Sequence, residues 1–216
     1  MRPERLDHVA LYVSDPERAA AQLRARLPFR VLERTDRFVL VGRAPELGKL
    51  TLFAAPGPRE QGLLAGIAIG VPCGGERVPV ELDEGLPLEL VPAPPDAEVD
   101  IREVALRVPD PEASARAWRA LGLREATAGP EGEPRLRVGE AFLVLRRGAA
   151  PAAERPLLNH VGLLVSSVEE ARREARAREL EVERDVDAPS SRALFVRGPD
   201  GVEVEYIEHK PSFALA

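Results

Sequence analysis

Two of the three histidines in this chain stand in nearly the same wording, Leu6-Asp7-His8-Val9 and Leu158-Asn159-His160-Val161. An imidazole held next to a carboxylate can bind a divalent ion or move a proton near neutral pH. Carboxylates recur in short apolar runs: Glu89 in Pro87-Leu88-Glu89-Leu90, Glu103 in Ile101-Arg102-Glu103-Val104, and Glu203 and Glu205 in Val202 to Glu208. A carboxylate turned inward costs free energy unless it serves a partner. Cys73 is the only cysteine, which excludes an intrachain disulfide and a thiolate-rich zinc site. It lies in a Gly-rich turn with no nearby histidine in sequence and is read as unremarkable. His209, between Glu208 and Lys210, is expected to be exposed.

Those residues sit on a repeat. Leu6 to Val31 lines up with Ile101 to Ala126 and again with Leu158 to Glu183. Each copy opens on alternating apolar residues, such as Val9, Leu11 and Val13 or Val161, Leu163 and Val165, the period of a strand with one buried face. A helix start follows at Ser14-Asp15-Pro16, at Asp110-Pro111 and at Ser166-Ser167, where a short polar side chain can accept from free amides. Alanine, arginine and glutamate carry each helix, and Trp118 falls at a spacing that suits packing on the sheet. Three strand-like runs complete the last copy, with Pro199-Asp200-Gly201 as the tight turn before the final one. The unit is βαβββ.

Leu63 to Val91 reads as a degenerate fourth unit. Its opening strand, Ala65 to Val71, runs into Pro72-Cys73-Gly74-Gly75 where a helix should begin, and only two further strands follow. The fold class is therefore α+β: four tandem modules in two open half-barrel cups, the second module lacking its helix. The proline-rich stretch from Val91 to Asp96 reads as a stiff linker, which divides the chain into residues 1–95, holding modules one and two, and residues 96–216, holding modules three and four.

Composition narrows the partners. A net charge of −6 and a pI near 5.3 give no basic footprint for a nucleic acid. No membrane-length or signal-like apolar run occurs, so a cytoplasmic location is expected. A small-molecule substrate is the expected partner, and the sheet edge left by the trimmed module could pair with another copy to form a homodimer.

The L-x-H-V openings and the run from Pro199 to Tyr206 resemble the vicinal oxygen chelate superfamily of glyoxalases, bleomycin-resistance proteins and extradiol dioxygenases, over nearly the whole chain. Four modules resemble most the two-domain dioxygenases. In that family metal ligands project into the cup from the first and last strands of the modules. The resemblance implies His160 and Glu205 as ligands, with Glu103 at the position aligned with His160, and Glu205 or Glu103 as the base. The ion would be Fe²⁺, Mn²⁺ or Zn²⁺, with Mg²⁺ also compatible with such oxygen-rich donors. Leu143, Gly66 and Leu52 stand at the remaining ligand positions. His8 and Glu89 alone make a poor second site, so His8 is read as structural, and Glu89 and Glu203 as solvated.

Three function classes follow from the resemblance. Ring-cleaving dioxygenation is the leading one, although two carboxylates and one imidazole would neutralise a divalent ion and attract a catecholate less. Glyoxalase-like or epimerase-like proton transfer suits such a neutral site. A metal-free binding protein is the third.

Overall fold

The computed structural model describes residues 1–72, 75–83, 85–129, 132–149 and 153–215, with the side chains of 214 and 215 left aside. Cys73 lies outside the described residues. Module one comprises β1 (Arg5–Val13), α1 (Pro16–Arg26), β2 (Arg30–Arg34), β3 (Phe38–Gly42) and β4 (Lys49–Ala54). Module two has β5 (Leu64–Val71), β6 (Val78–Val80) and β7 (Leu88–Pro92). Module three has β8 (Asp100–Val108), α2 (Pro111–Ala120), β9 (Arg124–Glu125), β10 (Arg135–Val138) and β11 (Ala141–Arg147). Module four has β12 (Leu158–Leu164), α3 (Val168–Ala177), β13 (Val182–Asp187), β14 (Ser191–Arg197) and β15 (Glu203–His209). The described part of module two carries no helix, as its proline and glycines dictate.

The expected caps form. Asp15 accepts from the Arg18 amide, Asp110 from the amides of Glu112 and Ala113, and Ser167 from the Glu170 amide. The turn before β15 places Asp200 and Gly201 at φ of 57° and 81°, a left-handed pair that glycine allows without strain.

The modules pair differently from the sequence-based expectation. One sheet has eight strands in the order β13-β14-β15-β12-β1-β4-β3-β2, and the other has seven in the order β6-β7-β5-β8-β11-β10-β9. Module one thus joins module four, and module two joins module three. A division at residue 95 would part β5 from its partner β8 within the seven-stranded sheet. Strand alternation fixes which face a strand buries but not which edge it meets, so the repeat alone left the pairing open. The segments that carry the chain between sheets run side by side, with a parallel bridge from Glu60 to Pro156.

Apolar side chains of both sheets and the three helices merge in one core. Trp118 on α2 is fully buried within it. Tyr206 on β15 is fully buried too, and its hydroxyl donates to the Leu121 carbonyl at 2.8 Å, tying the eight-stranded sheet to the end of α2. The outer strands are blunted against further pairing. β6 is three residues long with Pro79 at its centre, and β13 is exposed throughout and carries four charged side chains among its six residues.

Tyr206→Phe removes the donor to a buried carbonyl and is expected to cost about 1–2 kcal/mol. Urea unfolding should show a lower midpoint with an unchanged slope.

Candidate metal centre

The antiparallel register of β1 with β12 sets His8 opposite Gly162 and His160 opposite Ala10. Each histidine therefore faces the small residue that stands two places after the other. On the far side of β12 the parallel partner β15 sets Glu205 beside Gly162. Three strands bring their donors to one spot, and the missing side chain at Gly162 leaves the gap in which they meet. A Cβ added there would lie 2.5 Å from Nδ1 and 2.8 Å from Nε2 of His8, inside any tolerable contact.

Nε2 of His8, Nε2 of His160 and Oε2 of Glu205 form a triangle with sides of 2.9, 2.9 and 2.9 Å. Metal bonds of about 2.1 Å at right angles put neighbouring donors about 3.0 Å apart, whereas a tetrahedron puts them about 3.4 Å apart. The triangle fits one face of an octahedron. The three residues are 5%, 3% and 6% exposed. Two imidazoles and a carboxylate meeting in this way could hold a metal ion.

The second nitrogen of each ring is already engaged. Nδ1 of His8 lies 2.8 Å from Asp7 Oδ2, and Nδ1 of His160 lies 2.6 Å from Asn159 Oδ1. Each Nδ1–H donates outward, which aims the Nε2 lone pairs at the shared space. Asp7 is the extra residue of a bulge between Leu6 and His8, and its other oxygen takes Lys49 Nζ at 2.8 Å and His209 Nε2 at 3.1 Å. Lys49 is 1% exposed and also donates to the carbonyls of Pro45 and Leu47. His209 is covered rather than exposed, because Phe213 stacks on it with ring centroids 4.0 Å apart.

Electrostatics divide the charges among the three donors. Burial opposes ionisation of Glu205, but the two histidines more than offset it and hold the carboxyl at about 2. Burial likewise opposes protonation of His8, yet Glu205 and Asp7 raise it to about 9. Burial pushes His160 down, against the pull of Glu205. Without an ion, the His8 proton occupies the place of the cation.

Glu103 is not part of this group. It lies on β8 in the other sheet, bonded to Arg77 at 2.8 Å and to Arg135 at 3.0 Å. Its assignment as ligand and base is corrected: its repeat position matches that of His160, but in a sheet built from modules two and three. His8, read from the sequence as structural, stands in the third place of the triangle. The signal for it was present, since the two L-x-H-V copies hold their histidines in equivalent positions. The fourth corner is set by Ala10 pairing with Thr51, and in the other sheet by Ala105 pairing with Val144. Leu52 and Leu143 therefore turn into the core, one residue out of phase with the expectation.

Aromatic rings flank the triangle. Phe195 meets His160 edge-on at 5.2 Å, and Phe53 does so at 6.1 Å. Glu203, two residues from Glu205 on the same face, bonds Arg184 at 2.9 Å, while its Oε1 is buried with no hydrogen-bond partner among the described residues.

No family profile and no curated protein matches the chain. Solved structures do. A candidate dioxygenase of Bacillus subtilis subsp. subtilis str. 168 superposes with a TM-score of 0.79 at 16% identity, over 99% of this chain and 87% of that one. Glyoxalase I from Zea mays superposes with a TM-score of 0.73 at 17% identity, over 94% and 92% of the two chains. At such identities the likeness establishes the fold: this chain has the vicinal oxygen chelate fold. No helix among the described residues is long and apolar enough to cross a membrane.

Two outcomes test the centre. Gly162→Ala should displace the His8 ring and weaken Mn²⁺ or Zn²⁺ binding at least about tenfold, read by competition with a chromophoric chelator, while far-UV circular dichroism stays unchanged. An ion must also displace the His8 proton. Affinity should therefore rise by roughly tenfold per pH unit from pH 6 and level off near pH 9, with about one proton released per ion at neutral pH in calorimetry across buffers.

Proposed function

We propose that this protein is a metal-dependent enzyme in which His8, His160 and Glu205 hold a divalent ion, Fe²⁺ foremost, and that it acts on a small substrate with two adjacent oxygens. Ring-cleaving dioxygenation is the leading reaction. The donor triangle carries this reading, because two neutral imidazoles and one carboxylate leave a divalent ion with one net positive charge. The objection that two carboxylates would neutralise the ion falls with Glu103. A bound ferrous ion would supply Lewis acidity and one-electron chemistry toward O₂.

The chain itself positions and excludes. Asp7 fixes the tautomer of His8, and the Lys49 ammonium fixes Asp7. Phe53 and Phe195 shield the centre from water and offer apolar walls suited to a flat ring. A second reading is isomerisation through an enediolate, in which Glu205, beside the ion, moves the proton.

Metal analysis and turnover decide between the readings. Protein purified without chelators and supplied with Fe²⁺ should hold about one ion per chain and consume O₂ with catechols. His8→Ala, His160→Ala and Glu205→Ala should each lower turnover at least about 100-fold with loss of the ion, whereas Glu103→Ala should keep it. Isomerisation of a hemithioacetal without O₂ uptake would favour the second reading. Failure to take up Fe²⁺, Mn²⁺ or Zn²⁺ would sink both and leave a metal-free binder.

A further inference from the structure

The seven-stranded sheet repeats the geometry of the eight-stranded one. Glu103 faces Ala68 across β5 and β8 as His8 faces Gly162, and Gly66 faces Ala105, so Gly66 stands where His160 stands in the other sheet. Glu89 lies beside Ala68 just as Glu205 lies beside Gly162. The two carboxylates of this second cup are bridged by the guanidinium of Arg77, which contacts both Glu89 and Glu103. A side-chain cation thus fills the place that the donor triangle keeps for an ion.

The rest of this face is more positive than those carboxylates require. Arg135 bonds Glu103, its guanidinium lies 3.9 Å over the Phe142 ring, and its Nε is buried without a hydrogen-bond partner among the described residues. Arg107 and Arg146 are register partners on β8 and β11, on the same face as Glu103 and Phe142. Neither makes an ion pair among the described residues, although the chain carries a net charge of −6. Two like charges side by side on adjacent strands repel each other unless an anion joins them. Between them and Arg135 the floor is Ala105 and Val144, which bring no competing acceptor.

We propose that the concave face of the seven-stranded sheet is a second ligand site, which binds a small molecule bearing a carboxylate or phosphate through Arg135, Arg107 and Arg146. Guanidinium forks match both oxyanions in geometry, and a flat ligand can share the Phe142 platform. This site needs no metal and is independent of the reaction at the other cup.

Calorimetry of the metal-free full chain with inorganic phosphate and with citrate, in 150 mM salt, tests it. One of the two probes is expected to bind once per chain with Kd below about 1 mM, and Arg107→Gln/Arg146→Gln should weaken it at least about tenfold. Arg146→Glu, a change at an exposed position, should abolish binding without loss of far-UV circular dichroism. His160→Ala should leave it unchanged. Heat from neither probe, binding that survives in the Arg107/Arg146 variants, or binding lost in His160→Ala overturns the proposal.

Discussion

The antiparallel ladder between β1 and β12 is the contact on which the candidate site depends. Its register sets each histidine against the other's small neighbour, and β15 adds its carboxylate from the next strand over. A slip of one residue would turn His8 into the core and Val9 into the cup. The register is defended from both faces: Val9 and Val161 are buried on one side, and the ring of His8 has room only over a glycine on the other. The apolar pattern and the polar site specify the same alignment.

The polar layer under the triangle illustrates what it takes to keep ionisable groups out of water. Asp7 and Lys49 are both 1% exposed, and taking two charges out of water costs several kcal/mol each unless every lone pair and proton finds a partner. Here Asp7 receives His8, Lys49 and His209, and the remaining protons of Lys49 go to two carbonyls. A hydrophobic substitute would fill the space but could not orient an imidazole. The two cups then diverge on a common frame. One converges neutral and anionic donors on a point, and the other spends its carboxylates on arginines.

Much of this was legible in the sequence, and what was not has a physical cause. The caps, the buried Trp118, the faces of the opening strands and, among the described residues, the missing helix of module two follow from local periodicity and short-range chemistry, and they appear as read; the phase of the strands carrying Leu52 and Leu143 does not. His160 and Glu205 were singled out by the family resemblance, and the alternation of their strands turns both toward the same cup. The grouping of Glu103 with His160, and of His8 with Glu89, has one source, the assumption that modules adjacent in sequence pair in space. Local periodicity is blind to that choice, because β1 offers the same hydrogen-bonding edge to any strand of matching length. Lys49 and Asp7 were hidden for a related reason: their partners come from β1, β4 and the end of β15, and no spacing in one segment announces a three-way contact.

The two crossing segments, side by side at Glu60 and Pro156, have a bearing on how the chain is made. His8 and His160 are 152 positions apart, so on the ribosome the first module emerges with β1 unpaired along one edge and waits for β12. Modules two and three can meanwhile zip together as a hairpin of repeats, shortening the loop that must close before β12 arrives. The closing strand brings the last donors with it. Assembly of the donor triangle therefore waits for β12 and β15, and a product that stops before β12 carries an open sheet edge in its place.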